Sequence, residues 1–250
     1  MSKLTTIILT KNEERNIELA IKSAAFSDQI IVVDAKSSDK TQELAIKFGA
    51  EVISDDYKNF SKQREAGLRQ AKGDFVFYLD ADERISPKLK EEIENVLKDE
   101  FALEVYKIGR QNIYFWKYKW PNIAKLERLF KKDALKGWRG EIHESPMYDG
   151  KVGELSGLII HYTHNDLTSM TNKTIEWSQV EAQIRIDAKH PAMTWWRFPR
   201  VMVPAFFNYY ILQKGYKLGT AGFIESMFQA FSTFITYAKL WEMQNKDRKT

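Results

Sequence analysis

With no cysteine among its 250 residues, the chain can form neither a disulfide nor a thiolate metal site. It also has no apolar run near the roughly 20 residues that cross a bilayer. Val201 to Leu212 comes nearest, but it is too short and holds Pro204 and Asn208, which excludes a simple transmembrane span. No basic region followed by a long apolar core precedes the first strand pattern, so a cytoplasmic location is expected. Neither charge dominates: 38 Lys and Arg stand against 34 Asp and Glu, a net of +4. That balance favours phosphate-bearing ligands or anionic surfaces mildly and lacks a nucleic-acid footprint. A Walker-type glycine-rich loop is absent, and no segment has the bias of disorder. The hydrophobic fraction of 44% and the length suit one large domain, or one domain with an appendage.

What is present is most informative over nine residues. Phe75-Val76-Phe77-Tyr78-Leu79 is a short apolar run that stops at Asp80-Ala81-Asp82-Glu83. Such a run reads as a buried strand of a parallel sheet, with the carboxylates at its carboxyl end, where open α/β sheets bind ligands. On an extended backbone Asp80 and Asp82 would leave the same face, able to hold one hard cation and leave positions for a substrate's phosphates. The plain alternative is a solvated acidic turn.

Strand and helix signals alternate through the first hundred residues, the pattern of a parallel sheet with helices on both faces. Leu4 to Leu9, Gln29 to Val33, Glu51 to Ser54 and Phe75 to Leu79 are the predicted strands. Arg15 to Ser23, Thr41 to Phe48, Ser61 to Ala71 and a fourth segment opening at Pro87 behind Ser86 are the predicted helices. Val105 to Ile108, Leu126 to Phe130 and Leu158 to His161 then read as β pieces, a mixed extension of the sheet. The predicted organisation is an α/β domain over 1–165 and a helical, aromatic-rich region over 166–250.

That second region holds 14 of the 33 aromatic residues between Trp195 and Trp241. From Phe223 onward, Ile224, Met227, Phe228, Phe231, Phe234, Ile235, Ala238 and Trp241 share one helical face. Glu225, Gln229, Ser232, Thr233, Thr236 and Lys239 fall elsewhere. Three readings stand: a helical subdomain packed on the sheet, a homo-oligomer interface, or a monotopic dock on an anionic membrane. Arg197, Arg200, Lys214 and Lys217 beside Trp, Tyr and Phe suit the last.

Two further segments follow strands and reach the same sheet edge: Thr10-Lys11-Asn12-Glu13-Glu14, and Asp34 through Thr41. With Val32-Val33-Asp34, Ser37, Ser38, Asp39, Thr41, Gln63-Arg64 and Leu79-Asp80-Ala81-Asp82-Glu83, the chain resembles the family 2 glycosyltransferases of GT-A fold. Arg128-Leu129-Phe130, Gly140-Glu141-Ile142-His143-Glu144 and His161 resemble the lipopolysaccharide core glucosyltransferase branch. The motifs span roughly the first 165 residues. They imply a GT-A, Rossmann-like mixed sheet and inverting, metal-assisted transfer of a hexose from a nucleotide-sugar, UDP-linked for choice. The implied acceptor is a cell-envelope glycan or a lipid-linked molecule at the cytoplasmic face of the inner membrane.

The resemblance also implies roles. Asp34 would accept from the nucleotide base, and Thr10, Asn12 and Glu13 would line the nucleotide site. Arg64 would pair with the donor phosphates. Asp80 would serve the ribose and the metal, Asp82 would be the direct ligand of Mg²⁺ or Mn²⁺, and His161 would complete the site. An acceptor hydroxyl needs a general base; Glu144 is the candidate and Glu141 its rival. Each has an ordinary alternative: Asp34 as a turn cap, Glu13 at a helix start, Arg64 on a surface helix, His161 simply hydrogen-bonded, Glu144 salt-bridged. Lys36 and Lys40 stand where the family often has glycine, so a different local turn is expected there. Glu65 replaces a frequent asparagine after the arginine.

Other classes fit less of the pattern. A nucleotidyl or phosphoryl transferase could use the same acidic edge, yet the Walker loop is missing. A glycosidase needs carboxyl groups flanking the bond, and this pair lies together. A non-catalytic nucleotide-sugar-binding membrane protein would have no need of Asp80, Asp82 and a base together.

Overall fold

The computed structural model describes residues 1–57, 59–140 and 144–246, in two compact units: 1–111 with 123–161, and 112–122 with 162–250. The first unit opens with β1 (Leu4–Thr10), α1 (Ile17–Ser23), β2 (Gln29–Asp34), α2 (Thr41–Lys47), β3 (Glu51–Ser54), α3 (Phe60–Gln70) and β4 (Phe75–Asp80). These strands pair in parallel in the order β3-β2-β1-β4. Next come β5 (Glu83–Ile85), α4 (Pro87–Val96), β6 (Val105–Tyr114), β7 (Tyr118–Lys119), β8 (Ala124–Lys131), β9 (Leu135–Arg139), β10 (Ser145–Tyr148) and β11 (Val152–Thr163). The sheet continues through β8, β6, β11 and β5, with β8 antiparallel to β4 and to β6. β9 and β10 form a separate hairpin. The predicted architecture, a mostly parallel mixed sheet covered on both faces, is what the chain has.

Alternation along the central strands explains the two cores. Ile8, Val32, Phe77 and Leu79 pack with Ile17, Ala20, Ala45, Leu89 and Ile93 from α1, α2 and α4. Their neighbours Ile7, Leu9, Val33 and Tyr78 turn to the other face and meet Ala66 of α3 and Trp138 of β9. Strands buried on both sides must be apolar throughout, which is why β1 and β4 read as continuous runs.

Two details differ from the sequence reading. β4 ends at Asp80 and residues 81–82 form a turn, so the extended backbone expected through Asp82 stops two residues early. Lys36 adopts φ +51° although lysine lacks glycine's freedom there, whereas Lys40 keeps φ −80°. The loop therefore takes the left-handed conformation expected of glycine at Lys36, held by the bonds described below.

β11 carries His161, and α4 fixes its position. Gly157 runs so near α4 that a Cβ there would come within 2.4 Å of the Leu89 backbone, so only glycine fits. Glu92 accepts from the N–H groups of Ser156 at 2.8 Å and Gly157 at 2.9 Å. Burial works against its ionisation, but these bonds and the Ser156 hydroxyl outweigh that and hold the carboxyl below its ordinary range. A depressed carboxyl stabilises the fold above its unfolded pKa and loses that contribution as pH falls through the folded value. Glu92→Gln is expected to cost about 1 kcal/mol at neutral pH, allowing for its solvent access, with the gap closing in acid. Urea midpoints of parent and variant across that pH range measure it; a gap unchanged by acid would remove the ionised carboxyl from the account.

The second unit contains α5 (Leu167–Asp187), α6 (Arg197–Phe207) with a π-helical turn over Asn208–Leu212, and α7 (Gly219–Asn245). Asp166 caps α5 by accepting from the Ser169 N–H at 2.8 Å. α7 reverses the usual arrangement: it buries Gly222, Glu225, Ser226, Ala230, Thr236 and Leu240, and leaves Phe223, Ile224, Met227 and Phe231 exposed. Glu225 is satisfied internally, within 3.0 Å of His164 Nδ1 and accepting from Gln229 at 2.7 Å. Among the described residues no helix is long and apolar enough to cross a membrane.

Candidate active site at the carboxyl edge of the parallel strands

The loops after β1 and β2 are laced together. Asn12, at φ +53°, accepts from the Ser38 N–H at 2.8 Å, and its own N–H donates to the Ser37 hydroxyl at 2.7 Å. Glu13 N–H donates to Thr41 Oγ1 at 2.8 Å, while the Glu13 carboxylate accepts from Asn16 at 2.7 Å. Asp34, fully buried, accepts from the Ser37 N–H and hydroxyl, Gln42 Nε2 and Ser54 Oγ. Asp34 thus ties the loop after β2 to α2 and β3. Asp39 is held below the ordinary carboxylate range: burial opposes ionisation, but bonds from Thr41 and Glu14 prevail. Gln63 of α3 donates to the carbonyls of Val33 at 2.7 Å and Thr10 at 3.3 Å, pinning both strand ends. The buried Thr10 hydroxyl has no hydrogen-bond partner among the described residues.

Beside this frame lies a cluster of three carboxylates, Asp80, Glu83 and Glu144, with Arg64, Arg128 and Arg110, the last 3.6 Å from Glu83. Arg128 Nη2 on β8 donates to Asp80 and to Glu83, each at 2.9 Å. Arg64 donates through Nε at 2.9 Å and Nη2 at 2.8 Å to one oxygen of Glu144, and its Nη2 is 3.5 Å from Asp80. The Arg64 guanidinium also lies over Trp138 at 4.6 Å and Tyr78 at 5.3 Å. Burial penalises the charge on Asp80, yet Arg128 and Arg64 outweigh it and hold that carboxyl well below its ordinary range. Glu83 responds oppositely: full burial, with the neighbouring Asp80 charge, pushes its carboxyl up despite Arg128. Arg64 and Arg128 are both buried, and the Nη1 of each lacks a partner among the described residues. An unpaired guanidinium nitrogen in a buried site is costly unless a ligand completes it.

Asp82 and His161 sit together, with His161 Nε2 3.3 Å from the Asp82 carboxylate and each side chain 15% exposed. Burial opposes the imidazolium, but Asp82 outweighs it and raises His161 above the ordinary imidazole range. An oxygen-and-imidazole pair of this kind fits a divalent ion in part. Among the described residues no group of three or more acidic or histidine side chains is gathered to enclose one. The remaining positions would fall to substrate phosphates and water, as hard divalent ions commonly accept. Asp80 pairs with Arg128 and Arg64 and also feels the charge of His161.

The site residues named from sequence therefore fall into three groups: the loop frame (Thr10, Asn12, Glu13, Asp34), the arginine-carboxylate cluster (Arg64, Asp80, Glu144), and the Asp82–His161 pair. The rival base Glu141 lies outside the described residues. Sequence reasoning did not single out Glu83, Gln63 as a strand pin, or Arg128 as the bridge between two carboxylates. The only signal was that each stood inside a quoted motif.

The glycosyl transferase family 2 model matches residues 5–148. An uncharacterised glycosyltransferase of Rickettsia typhi is 29% identical over 99% of this chain and 90% of its own length. The lipopolysaccharide core biosynthesis glycosyltransferase LpsC of Rhizobium meliloti is 24% identical over 96% of this chain and 92% of its own. Among solved structures, glucosyl-3-phosphoglycerate synthase of Mycobacterium tuberculosis, in complex with Mn²⁺, UDP and glucosyl-3-phosphoglycerate, matches at TM-score 0.40 and 19% identity. That match covers 54% of this chain and 58% of the solved one, so the chain spans a little over half of that protein's length.

Proposed function

The chain belongs to glycosyl transferase family 2, and on that premise we propose an inverting enzyme that moves a hexose from a UDP-sugar to a cell-envelope glycan or lipid-linked acceptor. We place it peripherally on the cytoplasmic face of a membrane. The observation that carries the donor reading is the pair of buried guanidinium groups, Arg64 and Arg128, whose Nη1 atoms have no partner among the described residues, beside carboxylates at the same edge. A diphosphate supplies the acceptors they lack, and the unpaired Thr10 hydroxyl adjoins the strand end that such a ligand would cover.

In this reading the acceptor oxygen attacks the anomeric carbon from the side opposite the diphosphate. A new carbon–oxygen bond forms, the bond to the phosphate oxygen breaks with its electron pair leaving on the nucleoside diphosphate, and the configuration inverts. Glu144 takes the hydroxyl proton. Arg64 and Arg128 stabilise the charge that develops on the departing diphosphate. Asp82 and His161 would hold the divalent ion, Mg²⁺ or Mn²⁺, which when bound neutralises further phosphate charge. LpsC's place in lipopolysaccharide core biosynthesis supports the choice of an envelope acceptor.

The test is thermal-shift measurement with UDP-, GDP- and dTDP-sugars, with and without Mn²⁺. A UDP-sugar with Mn²⁺ at about a hundred times its Kd should add about 2.7 kcal/mol of stability, a rise of about 5 °C or more. No shift with any nucleotide-sugar would overturn the donor assignment. Glu144→Gln should keep that shift and lose about a hundredfold in transfer rate. Full turnover in this variant would remove Glu144 as the base.

A further inference from the structure

The second unit turns its large apolar side chains to solvent along two stripes. On α6 and its approach the stripe runs Trp196, Val203, Phe207 at helical spacing, with Trp195 82% and Val203 65% exposed. α6 buries none of its residues. On α7 the stripe runs Phe223, Met227, Phe231, each more than 40% exposed. The half-buried Phe206 of α6 and Phe223 of the α7 stripe have rings 5.9 Å apart, so α6 meets α7 beside that stripe. Exposed apolar area of this kind on a folded protein marks a binding surface.

Charge identifies what binds. Between Ala188 and Trp241 there are six basic residues, Lys189, Arg197, Arg200, Lys214, Lys217 and Lys239, and one acidic residue, Glu225. Glu225 is fully buried and engaged by His164 and Gln229, which leaves this stretch with no exposed carboxylate; the exposed Glu242 follows it near the end of α7. A second copy related by a two-fold axis would set the arginines against one another. An anionic bilayer offers the opposite charge together with an apolar phase at the depth of a flat helix.

We propose that α6 and the outward face of α7 lie flat in the headgroup layer of an anionic membrane, aromatic side chains inserted and Arg197, Arg200, Lys214 and Lys217 on the phosphates. This deepens the membrane-side reading of the proposed function and is independent of the donor chemistry. The outward aromatic stripe is the cause: a helix that buries glycine, serine and alanine packs closely on its own unit and leaves its bulky side to the lipid.

The test uses the full chain without detergent, sedimented with vesicles of phosphatidylcholine alone or mixed with phosphatidylglycerol. Binding is expected to the mixed vesicles, with a blue shift in tryptophan emission and loss at high salt. Arg197→Ala with Arg200→Ala should weaken partitioning about 25-fold, about fivefold for each charge. Trp195→Ala with Val203→Asn should weaken it at least about tenfold through lost apolar burial. All four side chains lie outside the candidate active site, so melting temperature and the UDP-sugar thermal shift should stay at parental values. Three results would overturn the proposal: a chain that stays in the supernatant with anionic vesicles, equal binding to pure phosphatidylcholine, or a concentration-dependent dimer by light scattering that the same substitutions dissolve. Loss of the nucleotide shift with vesicle binding intact would count against the donor reading alone.

Discussion

Asp82→Asn is expected to lower transfer about a thousandfold and to weaken the Mn²⁺-dependent part of donor stabilisation. The carboxylate is the charged oxygen donor facing His161, and an amide of the same shape does not neutralise a cation and holds one more weakly. The kcat/KM for the preferred donor and the thermal shift with and without Mn²⁺ measure both effects. Activity within tenfold of the parent would exclude Asp82 as ligand. Metal-free protein gives a second reading of the same contact. His161 is raised in the folded state, so its pairing with Asp82 contributes fully below the unfolded imidazole value of about 6.5 and is lost as pH rises through the folded one. The variant should therefore melt below the parent in mild acid and converge with it in alkali.

Arg128→Met is expected to cost about 3 to 5 kcal/mol of stability, read from the urea midpoint. The methionine fills the space but leaves Glu83, with no solvent exposure, and Asp80 without the cation that bridges them. Adding Glu83→Gln should recover part of the loss, because an uncharged side chain no longer needs that partner. If the single variant loses less than about 1 kcal/mol, the bridge contributes little and β4 is held by packing alone.

The parallel half of the sheet was legible because its signal is local. Strands buried on both faces must be apolar runs, and Ser86-Pro87 marks a helix start within two residues. The edge carrying Asp34 and Asp80 followed from topology, since consecutive parallel strands end on the same side. What could not be read is set by contacts distant in sequence. Arg128 reaches Asp80 across 48 positions, and Arg64 reaches Glu144 across 80. No periodicity encodes such pairs, so Glu83 read as part of an acidic turn rather than as a buried partner. The turn at 81–82 was missed because two aspartates two apart look alike on a strand and on a bend. In α7 the 3.6-residue period gave the apolar face correctly and was silent on which face the unit buries. Small residues opposite it, Gly222, Ser226 and Ala230, carried that answer.

Arg64 gives both of its engaged nitrogens to a single Glu144 oxygen, and its Nη1 has no partner among the described residues. Both bonds fall on Oε1, so under the proposed mechanism Oε2 is the Glu144 oxygen that would take the acceptor proton. Under that proposal product-inhibition patterns should show UDP competing with the UDP-sugar donor.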